Sequence, residues 1–187
     1  MILYYGAWQA RRGYDEILRL VCEDDSLVFV GCGRPLNDPA YLSDVFRWDV
    51  ESMRRTLAQQ GRIFEVELPF VAESRFVDEL FESSNFVLLP YQNFYGMSGS
   101  LVQACAYGKP VLVPDIGYMA ARVRADGVGL TFRHGNGVDM RRKLTLMRES
   151  YADFQPRVRS FARGFSEDEL VAHFASAFGL PAAVERQ

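Results

Sequence analysis

The hydrophobic positions along the chain follow two alternating patterns. Short aliphatic and aromatic runs, apolar on both faces, predict strands of a parallel sheet that is covered on both sides. These runs are Ile2–Tyr5, Leu27–Val30, Ile63–Val66, Phe86–Leu89 and Val111–Val113. Longer amphipathic stretches predict helices. These stretches are Tyr14–Cys22, Val50–Gln60, Ser74–Ser83, Ser98–Tyr107, Met119–Arg124, Val138–Arg148 and Asp168–Phe178.

Strands that alternate with helices through short connections are typical of a doubly wound α/β domain. We therefore predict a Rossmann-like parallel sheet of about six strands, with helices on both faces. The domain is expected to span residues 1–179, and residues 180–187 are expected to form a flexible tail. The first predicted strand begins at the second residue, so we also expect another part of the protein to precede this domain.

The composition excludes several classes of protein. Of 187 residues, 49% are apolar and 24% charged, as in ordinary globular domains. The net charge of −3 argues against a nucleic-acid-binding surface, which is normally basic. No run approaches the roughly 20 apolar residues of a membrane span. The N-terminus also lacks the charged and apolar regions of a signal peptide.

Cysteine and histidine offer little catalytic chemistry. The three cysteines, Cys22, Cys32 and Cys105, are far apart, odd in number and without metal-ligand spacing. They do not suggest a disulfide framework, so a reducing cytoplasm is the expected location. His134 and His173 assemble no triad or metal site with nearby residues, and no Asp-x-Asp motif is present. We expect no metal ion.

Open α/β sheets bind ligands beyond the carboxyl ends of their strands. Four turns are expected at that edge: Gly6–Gly13, Gly31–Pro35, Leu68–Ala72 and Pro90–Ser100. The residues Ser98, Gly99 and Ser100 open a predicted helix, where free N–H groups and the helix dipole suit a phosphate. The alternative is that Ser98 simply caps the helix with its hydroxyl group.

Two further turns carry candidate ligand contacts. Gly31 and Gly33 with the following Arg34 form a two-glycine turn that allows a ligand to approach the backbone, although a merely tight turn explains the glycines equally well. As a dinucleotide fingerprint this turn lacks its third glycine. Arg11 and Arg12 precede the first predicted helix, where a guanidinium can reach a diphosphate. The alternative is that both arginines are solvated.

Together these segments resemble the C-terminal domain of GT-B glycosyltransferases of the large group 1 family. The resemblance is densest between Leu88 and Pro114, where a strand ending in Pro90 is followed by a loop, a helix and the strand after Gly108-Lys109-Pro110. It extends over nearly the whole chain. The other matching segments are Tyr4–Gly6 with Arg12-Gly13, Val28–Gly33, Asp115–Gly117, Gly127–Leu130 and Arg163–Ser166.

The resemblance implies a metal-independent transfer of sugar from a nucleoside diphosphate sugar, with no other cofactor. The donor lies against this domain, and a separate N-terminal domain supplies most of the acceptor site. Arg12 matches the family's basic residue before glycine and implies a catalytic role in stabilising the leaving diphosphate. Gly99 and Ser100 match the small residues at the phosphate-facing helix start.

Several positions depart from the family pattern. The family places two glutamates eight positions apart, one at the donor sugar and one at the ribose. Tyr95 and Gln103 stand at these positions, and Ala7 replaces an arginine. Gln103 can still hydrogen-bond a ribose, although it is neutral and offers one carbonyl acceptor. Tyr95 is expected to contact the sugar.

The length also departs from the family, because 187 residues cannot include both domains of a GT-B enzyme. We therefore expect a fragment or one half of a split enzyme, inactive without its acceptor-binding half. Two alternatives stay open. One is a degenerate GT-B module that binds a nucleotide or a protein without catalysis. The other is a different enzyme on a similar fold, such as a nucleotide-sugar epimerase.

Overall fold

The computed structural model describes residues 1–8, 10–33, 44–67 and 75–166. Within this part of the chain, six parallel strands form one sheet in the order β3-β2-β1-β4-β5-β6. The strands are β1 (Ile2–Tyr5), β2 (Phe29–Gly33), β3 (Ile63–Glu67), β4 (Phe86–Leu88), β5 (Val111–Pro114) and β6 (Gly129–Phe132). The predicted doubly wound α/β class is confirmed.

Seven α-helices accompany the strands in the described residues. They are α1 (Tyr14–Glu23), α2 (Asp44–Gln59), α3 (Arg75–Ser83), α4 (Gly99–Ala106), α5 (Gly117–Asp126), α6 (Gly137–Glu149) and α7 (Tyr151–Arg163). A short 3₁₀ helix, Ala10–Arg12, leads from β1 into α1.

Alternate residues of the central strands enter two separate hydrophobic cores, because successive side chains of a strand point to opposite faces. On one face, Leu3 and Val87 pack with buried residues of α3, α4, α5 and α7. On the other face, Ile2 and Leu88 pack with buried residues of α1, α2 and α6. The sheet is therefore covered on both faces, which explains the continuous apolar runs in its strands.

The order of the strands reverses beside β1, which lies between β2 and β4. Strands β2 and β3 are added on one side of β1, and strands β4 to β6 are added on the other side. The connections that follow β1 and β4 therefore lead to opposite faces of the sheet. The carboxyl ends of these two strands therefore border the crevice where doubly wound sheets bind ligands. The following segments are the 3₁₀ helix with α1 and the loop from Leu89 to Ser98.

Some predicted boundaries were wrong. The second strand starts at Phe29 rather than Leu27, and α2 begins at Asp44 rather than Val50. The prediction that every strand is covered on both sides fails at β3. This strand lies at the edge of the sheet, and Phe64 is 51% exposed.

The sequence patterns did not predict two elements of the structure. The first is β6, which begins with a glycine and is only four residues long. The second is α7, which contains Pro156 in its interior. Proline removes a helix hydrogen bond and normally argues against a helix. In α7 this cost is offset by the burial of Phe154, Val158 and Phe161.

The cysteines are free thiols, and two are fully buried. Burial raises the pKa of Cys32 to about 11 and, with a smaller contribution from Asp126, that of Cys105 to about 12. Both therefore stay protonated and behave as small apolar residues, while Cys22 is half-buried against the second core. The predicted helix Asp168–Phe178, the tail 180–187 and the turn Leu68–Ala72 lie outside the described residues.

Candidate functional site

The candidate site is built around Arg12, at the carboxyl edge of β1. A Cβ atom added to Gly6 would stand 2.6 Å from Nη1 of Arg12, so the guanidinium group lies directly against the glycine backbone. The guanidinium carbon is also 5.4 Å from the centroid of the Tyr91 ring, which is cation–π distance. No ion pair among the described residues involves Arg12. The contacts described for the Arg12 guanidinium group are therefore with uncharged groups.

Arg11 differs from its neighbour in that its side chain is exposed. Its carbonyl oxygen accepts a hydrogen bond of 2.8 Å from the backbone N–H of Gln92. The alternative of a solvated side chain thus describes Arg11 and does not describe Arg12, which is half-buried. The residue pattern of the turn did not show this difference in exposure, although the family resemblance had already singled out Arg12.

The start of α1 and the loop after β4 are in direct contact. Gly13 is the N-cap residue of α1, with φ of 70°, and a Cβ there would lie 2.1 Å from the carbonyl oxygen of Pro90. A side chain at this position is excluded both by the left-handed backbone and by the Pro90 backbone. This contact, together with the Arg11–Gln92 hydrogen bond, fixes the 3₁₀ helix against the β4 loop.

Gly33 lies where β2 ends beside the turn that follows β1. A Cβ at Gly33 would stand 1.9 Å from the carbonyl oxygen of Gly6, and the N–H of Gly6 donates a 2.9 Å hydrogen bond to the carbonyl of Cys32. Gly33 therefore allows two backbones to meet, which supports the interpretation as a tight turn. Its contact with a phosphate stays a prediction. Arg34 lies outside the described residues.

The start of α4 combines a buried serine with an open glycine. Ser98 is 6% exposed, and its Oγ lies 3.2 Å from the hydroxyl oxygen of Tyr91. The hydroxyl makes no capping hydrogen bond among the described residues, so the proposed capping role is wrong. Gly99 is exposed, and no described atom lies within 4 Å of the position of an added Cβ. The first N–H groups of a helix have no intrahelical partner and are available to a ligand.

Ser100 and Gln103 follow on the first turns of α4. Ser100 donates through Oγ to the carbonyl oxygen of Tyr5 at 3.4 Å, which links the helix start to the end of β1. Gln103 is half-buried. It follows Gly99 and Ser100 by four and three residues, the spacings that place residues on one face of a helix. The predicted ribose contact of Gln103 stays a prediction.

The loop that carries Tyr95 packs against the start of α5. The side chain of Tyr95 is 66% exposed, while its carbonyl oxygen accepts a 2.9 Å hydrogen bond from the N–H of Tyr118. Gly117 permits this approach, because a Cβ there would lie 2.6 Å from Cα of Tyr95. The loop thus presents an aromatic ring to solvent on a fixed backbone. Its contact with a sugar is untested.

Glu16 is a titratable residue of this region that the sequence did not reveal. Its Oε1 accepts a hydrogen bond from Nε2 of Gln92, and its Oε2 is buried without a hydrogen-bond partner among the described residues. Burial raises the pKa of Glu16 to about 7, with a smaller contribution from the charge of Asp15. The hydrogen bond from Gln92 and the charge of Arg19 oppose this rise.

Asp115 and His134 follow the carboxyl ends of β5 and β6. Asp115 accepts a 3.0 Å hydrogen bond from the backbone N–H of His134, so its carboxylate links the turns after β5 and β6. Nε2 of His134 lies 3.5 Å from the N–H of Asn93. In the described part of the chain, no three His, Cys, Asp or Glu side chains come together as metal ligands would. Nor does any described helix have the length and hydrophobicity of a membrane span.

Comparison with known proteins gave different results for sequence and for structure. No family model matches the sequence, and no curated protein matches it. The structure, in contrast, is similar to solved glycosyltransferases. HepE from Anabaena, in complex with UDP, has a TM-score of 0.73 at 11% identity, and the match covers 95% of this chain and 48% of that chain.

Two other solved structures agree. Sucrose-phosphate synthase from Thermosynechococcus elongatus has a TM-score of 0.72 at 16% identity, with 95% of this chain and 44% of that chain covered. The C-terminal domain of the group 1 family glycosyl transferase LpcC from Francisella tularensis has a TM-score of 0.62 at 14% identity, with 87% and 82% covered.

These similarities establish the architecture. The chain has the fold of the C-terminal domain of group 1 GT-B glycosyltransferases, which confirms the resemblance seen in the sequence. It spans less than half the length of the HepE and sucrose-phosphate synthase chains, and it matches most of the isolated LpcC domain.

Proposed function

We propose that this chain, which has the fold of a GT-B C-terminal domain, binds a nucleoside diphosphate sugar as the donor half of a metal-independent glycosyltransferase. A second domain would supply the acceptor site. The observation that carries the proposal is the position of Arg12. Its guanidinium group lies at the edge of β1, against Gly6 and Tyr91, with no ion-pair partner among the described residues.

Arg12 and the start of α4 supply complementary contacts for a diphosphate. A guanidinium forms charge-assisted hydrogen bonds with phosphate oxygens. The free N–H groups at Gly99 and Ser100 and the helix dipole favour the same anion. When the bond between the sugar carbon and the phosphate oxygen breaks, the leaving diphosphate gains negative charge, which these groups stabilise. Ser98 contributes its backbone, because its hydroxyl is paired with Tyr91.

Tyr95 and Gln103 are proposed to contact the sugar and the ribose. Gln103 lies one turn beyond Gly99 on α4, so a nucleotide whose phosphates bind at the helix start can extend its ribose along that helix. Tyr95 projects from the loop before the same helix and is 66% exposed. Both side chains offer hydrogen-bonding groups, so both would orient the donor.

Ligands of the similar proteins support this assignment. HepE has been solved with UDP and with UDP-glucose, and TarM from S. aureus with UDP. All three are matched over 95% of this chain. The domain shared with these nucleotide-binding proteins is therefore the one that we propose to hold the nucleotide here.

Calorimetric titration of the purified chain with UDP, GDP and ADP tests the proposal. We expect one nucleoside diphosphate to bind, and Arg12→Ala to weaken its binding by roughly tenfold or more, as the loss of a charge-assisted contact implies. The matched control is Arg124→Ala, which removes the same charge from the exposed last turn of α5, at the opposite edge of the sheet. No binding at millimolar concentration of any of the three would refute the proposal.

A second candidate is a nucleotide-binding module without catalysis. It is favoured by Tyr95 and Gln103, which stand where the family resemblance implies two carboxylates. Both candidates predict nucleotide binding, so they must be separated by turnover. When the chain is combined with a candidate acceptor-binding domain, release of UDP from UDP-glucose in the presence of acceptor supports the transferase. Tight binding without release supports the module.

A further inference from the structure

Tyr91 occupies a central position between the two halves of the proposed diphosphate site. It follows Pro90 at the end of the β4 region and is 4% exposed. One face of its ring lies within cation–π distance of Arg12, at 5.4 Å. Its hydroxyl oxygen lies 3.2 Å from Oγ of Ser98, the residue before α4. A single buried side chain thus contacts both groups that we propose to bind the diphosphate.

The residues around Tyr91 restrict its movement. The ring of Phe94 packs edge-on against it, with centroids 5.3 Å apart and planes at 90°. The next residue, Gln92, is bonded through its backbone to Arg11 and through its side chain to Glu16. The loop is therefore attached to the 3₁₀ helix and to α1 on either side of Arg12.

An arginine that must be ordered on binding loses the conformational entropy of a long side chain. If its guanidinium is already held, less of that entropy is lost when the ligand arrives. The Tyr91 ring supplies such support without neutralising the charge, because a cation–π contact leaves the N–H groups at the guanidinium edge available to phosphate oxygens. A carboxylate in the same place would compete with the phosphate.

We infer that Tyr91 is a positioning residue for nucleotide binding, which holds the Arg12 guanidinium in the diphosphate site and joins it to the start of α4. This inference rests on the proposed function. It assigns to Tyr91 an effect that passes through Arg12, and this coupling distinguishes it from a residue that merely packs in the core.

A double-mutant cycle measures the coupling. UDP, or whichever nucleoside diphosphate binds, is titrated into wild type, Tyr91→Leu, Arg12→Ala and the double variant. We expect Tyr91→Leu to weaken binding roughly three- to tenfold in the wild-type background, as expected for loss of a cation–π contact. In the Arg12→Ala background the same change should have little effect. Equal weakening in both backgrounds, or no weakening in either, overturns the inference.

A series of fluorinated phenylalanines at position 91 covers the case in which Tyr91→Leu fails to fold. Tyr91→Phe keeps the ring, and increasing fluorination withdraws electron density from its face while nearly preserving its shape. Affinity for the nucleotide should fall with the number of fluorine atoms, and this trend should vanish with Arg12→Ala. An affinity independent of fluorination overturns the inference. Failure of wild type to bind any nucleotide would instead refute the proposed function, so the two failures are distinguishable.

Discussion

The guanidinium group of Arg12 lies against the backbone of Gly6, where an added Cβ would stand 2.6 Å from Nη1. The glycine also has φ of 132°, a conformation that other residues rarely adopt. The position of the proposed catalytic cation therefore depends on the absence of a side chain six residues earlier. The contact requires the chain to turn back after β1, which it does through the 3₁₀ helix.

Gly6→Ala should displace Arg12 and weaken nucleotide binding. The strained backbone should also lower the free energy of unfolding by about 1–3 kcal/mol. The control is Gly61→Ala, because Gly61 also has positive φ, 65°, but no described atom within 4 Å of an added Cβ. Calorimetry and urea unfolding of both variants check this. We expect both to lose stability and only Gly6→Ala to lose affinity; unchanged nucleotide affinity in Gly6→Ala would contradict the role of this contact.

Gly99→Ala should change stability and affinity in opposite directions. Gly99 is the first residue of α4, and no described atom obstructs a Cβ there, so alanine should stabilise the fold by about 0.4–1 kcal/mol. If the open space receives a phosphate, the added methyl group should weaken binding. Gly137→Ala is the matched control, because Gly137 opens α6 with equally free space. An affinity that survives Gly99→Ala would place the phosphate elsewhere.

Glu16 should make stability depend on pH near neutrality. Burial, with the charge of Asp15, raises the pKa of Glu16 from 4.5 to about 7, so between these values the folded chain holds a proton that the unfolded chain releases. The resulting stabilisation is complete below about pH 4.5 and is lost as the pH rises through about 7. Glu16→Gln cannot titrate. As the pH rises across this interval, wild type should lose stability relative to Glu16→Gln, as measured by the free energy of unfolding in urea. A difference between the two that does not change with pH would contradict the assignment.

Arg62→Ala should destabilise the fold without affecting nucleotide binding. The side chain is 11% exposed, and Nη2 donates to the carbonyl oxygens of Val21 and Asp24 at the end of α1. Loss of these charge-assisted bonds should cost roughly 1.5–3 kcal/mol. Arg75→Ala, at a side chain that is 93% exposed, should cost less than about 0.5 kcal/mol. Thermal unfolding gives the comparison, and equal losses would show that Arg62 has no special structural role.

The class of fold could be predicted because strands β1, β4 and β5 are continuous apolar runs, which a sheet covered on both faces requires. The exact ends of several other strands and helices could not be read from the sequence, as the starts of β2 and α2 show. The sequence did not predict β6, because the strand begins with Gly129 and glycine has a low intrinsic preference for strands. Its backbone passes so close to β5 that a Cβ would lie 1.9 Å from the carbonyl oxygen of Val111. The sequence did not predict α7, because Pro156 disfavours a helix locally. Packing of the helix against residues distant in the sequence offsets this cost.

The candidate site could likewise be predicted only in part from the sequence. The sequence by itself determined the residue types at the strand ends, small residues before α4 and two arginines before α1, because these follow from local turn and helix chemistry. It did not show that Arg11 is exposed while Arg12 is half-buried, and it did not indicate the contacts of Tyr91, Gln92 or Glu16. Only the tertiary structure decided these, because parallel pairing of β1 with β4 brings the turn after Gly6 beside a loop about eighty residues away in the sequence. Contacts of that kind depend on the order of strands in the sheet, which local patterns do not encode.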